Sequence, residues 1–204
     1  MKIGELIFKV LRFIAYGGVI FFVLLIIIRI PHNIGVQRTA EQVAKIHATK
    51  LTLADVMGDN LPPDPGTLAD ATIAGVDANQ NGIRDDVELA IFEAYPNSAK
   101  TRAVLLQYAL ALQMEVTQPF INAGIVGEVA NKQDRAIFCL AEIVPDKGEG
   151  GVITAIQEYG VYISQKQFNI DIRRGAHKDF YSKLKSGRVD ESVSCDIELS
   201  SLTQ

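Results

Sequence analysis

The run from Phe13 to Ile30, FIAYGGVIFFVLLIIIRI, constrains this chain more than any other stretch. Its eighteen residues carry one charge, Arg29 near the end. Inside hydrocarbon a backbone must satisfy its own N–H and C=O groups, and a single apolar segment does so only as a helix. At about 1.5 Å per residue the run nearly spans a bilayer core, and Arg29 can snorkel to the interface. Tyr16 sits where interfacial aromatics tend to fall. Residues 13–30 are therefore read as a transmembrane anchor behind a leader, residues 1–12, which alternates apolar and charged positions and suits the inner membrane surface. Lys2, Lys9 and Arg12 precede the run with Glu5 as the only acid, while Arg29 and Arg38 follow it. That small bias puts the N-terminus in the cytoplasm and the remainder outside the inner membrane, in the periplasm. Two alternatives stay open. A cleaved signal peptide wants a shorter apolar region and a small-residue site, which residues 30–35 (IPHNIG) do not offer. A buried core helix is usually shorter.

The rest of the composition excludes more than it assigns. The chain has 204 residues, enough for an anchor and one modest domain, and a net charge of −4 gives no footprint for nucleic acid. The hydrophobic fraction of 48% is high because of the N-terminal run. There are two cysteines, Cys139 and Cys195. An exported domain permits a disulfide, and only one intramolecular pairing exists. Two separate buried thiols are the alternative. Their spacing excludes a CxxC redox site and a zinc knuckle.

The stretch Asp77-Ala78-Asn79-Gln80-Asn81-Gly82-Ile83-Arg84-Asp85-Asp86-Val87-Glu88 carries the chemistry. Asp77, Asn79 and Asn81 offer side-chain oxygens at alternate positions, and Gly82 falls where the chain must turn sharply. Ile83 can give its carbonyl, Asp85 can act through a water, and Glu88 can close the shell bidentately from the first turn of a helix. An all-oxygen donor set without His or Cys suits calcium and not zinc or copper. The stretch resembles the EF-hand calcium loop, which also occurs unpaired in dockerin-like and thrombospondin-like repeats. The resemblance covers only these residues, and it implies Ca2+ held by Asp77, Asn79, Asn81, Ile83, Asp85 and Glu88. In paired loops position 8 is normally apolar and bridges to a sister loop, whereas here it is Arg84. No second run of the kind occurs, so a single unpaired site is expected. The competing reading is an Asn/Asp/Gly turn that caps a helix.

Around this loop the periodicity is helical. Pro31–Gly35 is expected to break the anchor helix, after which Thr39 caps a helix through Val43 and Ile46 towards Leu51, with His47 as an ordinary half-exposed residue. A short segment follows, capped at Thr52 and ended by Gly58. Residues 60–66, rich in proline, should run extended, and residues 67–74 form a short helix or an arm. Val87, Ala90, Ile91, Ala94 and Tyr95 mark a helix that Pro96 stops, and Ser98 caps the next, up to Pro119. Further helices are expected over 128–144, from Val152 to Ile163 (where Gly160–Ile163 reads equally as a strand) and after Arg173-Arg174-Gly175. The fold class is thus mainly α: a transmembrane helix, a connector over 31–66, and a small helical domain over 67–204 containing the calcium loop.

No Gly-x-Ser-x-Gly, His-Glu-x-x-His or phosphate loop is present. His177 with Asp179, and Arg173-Arg174 upstream, is the only cluster suited to acid/base chemistry, and a solvated helix start explains it equally well. Asp146 and Glu149 read as surface. Three functions follow: an anchored extracytoplasmic calcium-binding protein with an interaction or scaffolding role towards a protein partner; an envelope enzyme, such as a hydrolase, with structural calcium; or a calcium sensor. The lone loop, Arg84 and the two Asn ligands weigh against the sensor. The chain as a whole resembles small membrane-anchored bacterial proteins.

Overall fold

The computed structural model describes residues 3–120, 122–145, 148–185 and 195–202, and it is helical, with no strand among the described residues. The chain divides into two units, residues 1–42 and residues 43–204.

The first unit is helix only. Helix α1 runs Ile3–Ala48, and within it Ile3–Ile27 is long and apolar enough to cross a membrane, with its side chains exposed. The apolar span thus starts ahead of Phe13 and takes in most of the leader. Lys2, one of the charges that set the expected orientation, lies outside the described residues. The break expected at 31–35 does not occur: the helix continues through it. Proline imposes a φ near −65°, which is itself helical, so it removes one hydrogen bond without forcing an end. Thr39 consequently does not cap; its hydroxyl donates to the Gly35 carbonyl at 2.9 Å, one turn back in the same helix.

The second unit begins at Val43, inside the expected connector. Its first capped helix is α2, Leu53–Met57. Thr52 and Asp55 form a reciprocal capping box, and Gly58 closes the helix at φ +80°. Residues 61–65 carry no regular structure, and the arm beyond them makes one 3-10 turn, Gly66–Asp70. Helix α3, Asp85–Ala94, follows the loop. Val87 and Ile91 are fully buried, whereas Ala94 of the expected stripe is exposed. Ser98 caps α4, Ala99–Thr117, by accepting from the Thr101 N–H at 3.2 Å.

Helix α4 is the axis of the domain. It is buried nearly all round, which an amphipathic stripe would not require. Leu105, Leu106 and Leu112 are fully buried on it; truncating one such leucine to alanine typically costs about 2–5 kcal/mol. Around it pack α2, α3, α5 (Ala123–Ala141), α7 (Val161–Gln167) and α8 (Asp171–Lys183). Helix α5 begins earlier than expected because the Asn122 side chain caps it, accepting from the Ile125 N–H at 3.1 Å. The segment read as helix or strand is helical. It comprises α6, Glu149–Ala155, a π turn over Ile156–Gly160, and α7. Arg173-Arg174-Gly175 is not a separator, since all three lie inside α8. Glu149 opens α6, while Asp146 lies outside the described residues.

A disulfide joins Cys139 on α5 to Cys195, whose Cα atoms are 4.9 Å apart. It holds the segment 195–202 against the domain. There Asp196 accepts from the Leu51 N–H at 3.2 Å and from Arg135 Nη2 at 3.1 Å, and its own N–H donates to Gln107 Oε1 at 2.7 Å.

Candidate calcium loop

Local geometry folds the stretch 77–88 around its own oxygens. Asp77 Oδ1 accepts from the Asn81 N–H at 3.1 Å and Oδ2 from the Gly82 N–H at 3.0 Å. Asn81 Oδ1 accepts from the Ile83 N–H at 2.8 Å, an Asx turn two residues long. Gly82 has φ +86°, a backbone conformation that favours glycine, and a Cβ there would stand 2.7 Å from Leu110 Cδ1. Gln80 is left-handed too, at φ 59°, a conformation a non-glycine residue holds only when its surroundings dictate it. The Asp85 N–H donates to the Val76 carbonyl at 2.9 Å and closes the turn.

The acids are then distributed along the first turn of α3. Asp85, Asp86 and Glu88 all lie there, where the partial positive charge of a helix start favours anions. Asp85 is fully buried and its carboxylate accepts from the Ala78 N–H at 3.0 and 3.2 Å. Glu88 is also buried, and its Oε2 accepts from Asn79 Nδ2 at 3.0 Å. Among its most influential charged neighbours are Asp55 and Asp85, both acids. Burial is the main reason its pKa is pushed up to about 7, with the Asn79 amide pulling the other way. Burial also raises Asp77, against the N–H donors of Gly82 and Asn81. Asn81 Nδ2 is buried without a hydrogen-bond partner.

The donor chemistry of these residues, oxygen only, is compatible with a hard cation. The loop gathers carboxylate, amide and carbonyl oxygens. The Glu88 carboxylate is desolvated, with a small added push from Asp55 and Asp85, and a bound divalent ion would relieve it. No three His, Cys, Asp or Glu side chains gather as a metal-binding group among the described residues.

The second sequence candidate is taken apart. Asp179 pairs with Lys183 at 2.5 Å, Arg173 with Asp70 at 2.7 Å, and Arg174 with Asp171 at 2.5 Å. His177 instead meets Glu115 of α4, Nδ1 to Oε2 at 2.5 Å. Its ring lies 4.1 Å from Phe168 and 4.9 Å from Tyr181, centroid to centroid. Glu115 is buried and also accepts from Gln133, and burial raises its pKa against the opposing pull of His177. This polar centre is absent from the sequence reading. Its one local signal is the acid itself, in the otherwise largely apolar Leu110–Val116 stretch. His47 is exposed, as expected, and pairs with Glu128 at 2.7 Å.

The chain matches no protein-family model, no curated protein and no solved structure.

Proposed function

We propose that this chain is a membrane-anchored extracytoplasmic protein whose helical domain holds one structural calcium ion in the loop Asp77–Glu88 and serves an interaction or scaffolding role. The observation that carries the reading is Glu88: a buried carboxylate on the loop's exit helix, pushed up to about 7, with acids as neighbours. Asp77, Asn79, Asn81, the Ile83 carbonyl and Glu88 would hold the ion, with Asp85 acting through a water. The ion supplies positive charge that offsets the desolvated acids. The chain's own part is to present those oxygens from a turn built by Gly82 and Gln80 and to seat Glu88 on α3. Binding then fixes α3 relative to the arm that precedes the loop, so calcium affinity becomes folding stability.

The extracytoplasmic, inner-membrane placement is supported by the apolar span Ile3–Ile27, by Lys9 and Arg12 within its N-terminal half, and by the Cys139–Cys195 bridge, which persists in oxidising compartments. Thermal unfolding of the full chain in detergent tests the reading. Melting should occur at a higher temperature in calcium than in chelator, and coincident curves would sink it.

One observation favours a second reading, an envelope enzyme with structural calcium. The half-buried His177 is oriented by the buried Glu115, as a general base is oriented by a carboxylate. Glu115 and the rings of Phe168 and Tyr181 are the partners of this imidazole, and they define no reaction, so calcium binding without assigned chemistry ranks first.

A further inference from the structure

Position 8 of the loop has an occupant whose surroundings are unusual for a surface turn. Arg84 is fully buried, and its guanidinium is nearly saturated. It forks onto Asp86, Nε to Oδ1 at 2.5 Å and Nη2 to Oδ2 at 2.8 Å. Nη1 donates to the Gln167 carbonyl at 3.0 Å and Nη2 to the Lys166 carbonyl at 2.8 Å. Those carbonyls belong to the last turn of α7, where helical oxygens have no partner of their own. The arm entering the loop is shaped to the same side chain. Gly75 has φ +69°, and a Cβ there would lie 2.3 Å from Arg84 Cδ.

From this convergence, and resting on the calcium reading above, we propose that Arg84 is a positioning residue for calcium: it ties the loop to the C-terminal end of α7 in place of a sister loop, and that tie sets the affinity of the site. A lone loop has to be ordered before its oxygens converge, and that ordering cost is subtracted from the binding free energy. Arg84 lies between Ile83, whose carbonyl is a ligand, and Asp85, which closes the turn onto Val76. Anchoring it to α7 orders the middle of the loop in advance. By linkage, whatever the tie does for calcium, calcium must do for the tie, so ion binding should also steady the end of α7.

The test is calcium titration by calorimetry on the full chain in detergent, wild type beside Arg84→Leu and Asp86→Asn, with amide exchange across 161–168 in calcium and in chelator. The expected result is one site in the wild type, weakened about tenfold or more in Arg84→Leu, and calcium-dependent protection of 161–168 that the variant loses. Asp86→Asn keeps an acceptor for Arg84 and weakens binding less, so it decides the matter if Arg84→Leu fails to fold. Wild-type affinity in a folded Arg84→Leu overturns this inference alone, as does wild-type affinity in Asp86→Asn when the leucine variant does not fold. The same holds if exchange at 161–168 ignores calcium. A wild type that binds no calcium overturns the calcium reading, and the inference falls with it.

Discussion

Glu88 and Glu115 are both buried carboxylates on helices, and burial raises the pKa of each. Their surroundings differ in kind. Glu115 has a hydrogen-bonding partner built into the fold, His177, together with the Gln133 amide. Glu88 has one hydrogen bond from Asn79 and acids beyond it. One carboxylate is paired with a titratable partner, while the other is buried with a single amide donor. A domain tolerates an uncompensated buried acid poorly, and the calcium proposal rests on that contrast.

Perturbations of known size separate the two regions. The largest lies outside both and sets the scale. Reducing Cys139–Cys195, 56 residues apart, releases a closed loop worth about 4 kcal/mol by chain entropy. Stability should drop by that order in calcium and in chelator alike. A loss confined to one condition would mean that the bridge and the calcium loop are not independent.

Next comes Glu88→Ala. With calcium at about a hundred times its dissociation constant, the ion contributes about 2.7 kcal/mol, and the variant should forfeit all of it. Its melting temperature in calcium should fall to about that of the chelated wild type. Asp77→Ala should behave the same way. Equal melting of variant and wild type in calcium would break the contrast, because Glu88 would then need no cation.

Glu115→Gln should cost about 1–3 kcal/mol through the loss of a buried charged hydrogen bond to His177, and the loss should be the same with and without calcium. Calcium dependence at Glu115 would mean that the two acids belong to one system.

The smallest effect is on pH. Glu88 sits at about 7 in the folded chain against an ordinary 4.5. A carboxyl with a raised folded pKa holds its proton more tightly when folded. The stability it contributes without calcium is therefore fullest below about 4.5 and declines as pH rises through about 7. Calcium needs the ionised form, so the gap between melting in calcium and in chelator should widen from about pH 5.5 to about pH 8. Asp77, raised in the same direction, reinforces the trend. A gap that narrows or stays constant would speak against Glu88 as a ligand.

Local features of this fold were legible in the sequence because they depend on neighbours in the chain. The cap at Thr52, the Ser98 cap and the end of α3 before Pro96 each rest on residues a few places apart. Two cysteines admit one pairing, and the structure forms it in place of the two separate thiols that the sequence left open. What escaped depends on distant partners. His177 and Glu115 are 62 residues apart, and Arg84 reaches carbonyls more than 80 residues away. In sequence, Arg84 is only a departure from the apolar residue of a paired loop. Folded, it is a clamp, because the end of α7 presents carbonyls to it. Arg173 reads as part of a helix break, yet inside α8 it reaches back to the Ala69, Thr72 and Ile73 carbonyls of the arm. Pro31 reads as a stop, and the helix passes through it because proline's own dihedral is compatible with one.

The most direct test of the central claim is a count of bound calcium per chain, by dialysis of the full-length protein against calcium followed by elemental analysis. The account predicts one ion per wild-type chain and none in Asp77→Ala or Glu88→Ala. A wild type that retains no calcium, or variants that retain as much as the wild type, would contradict it.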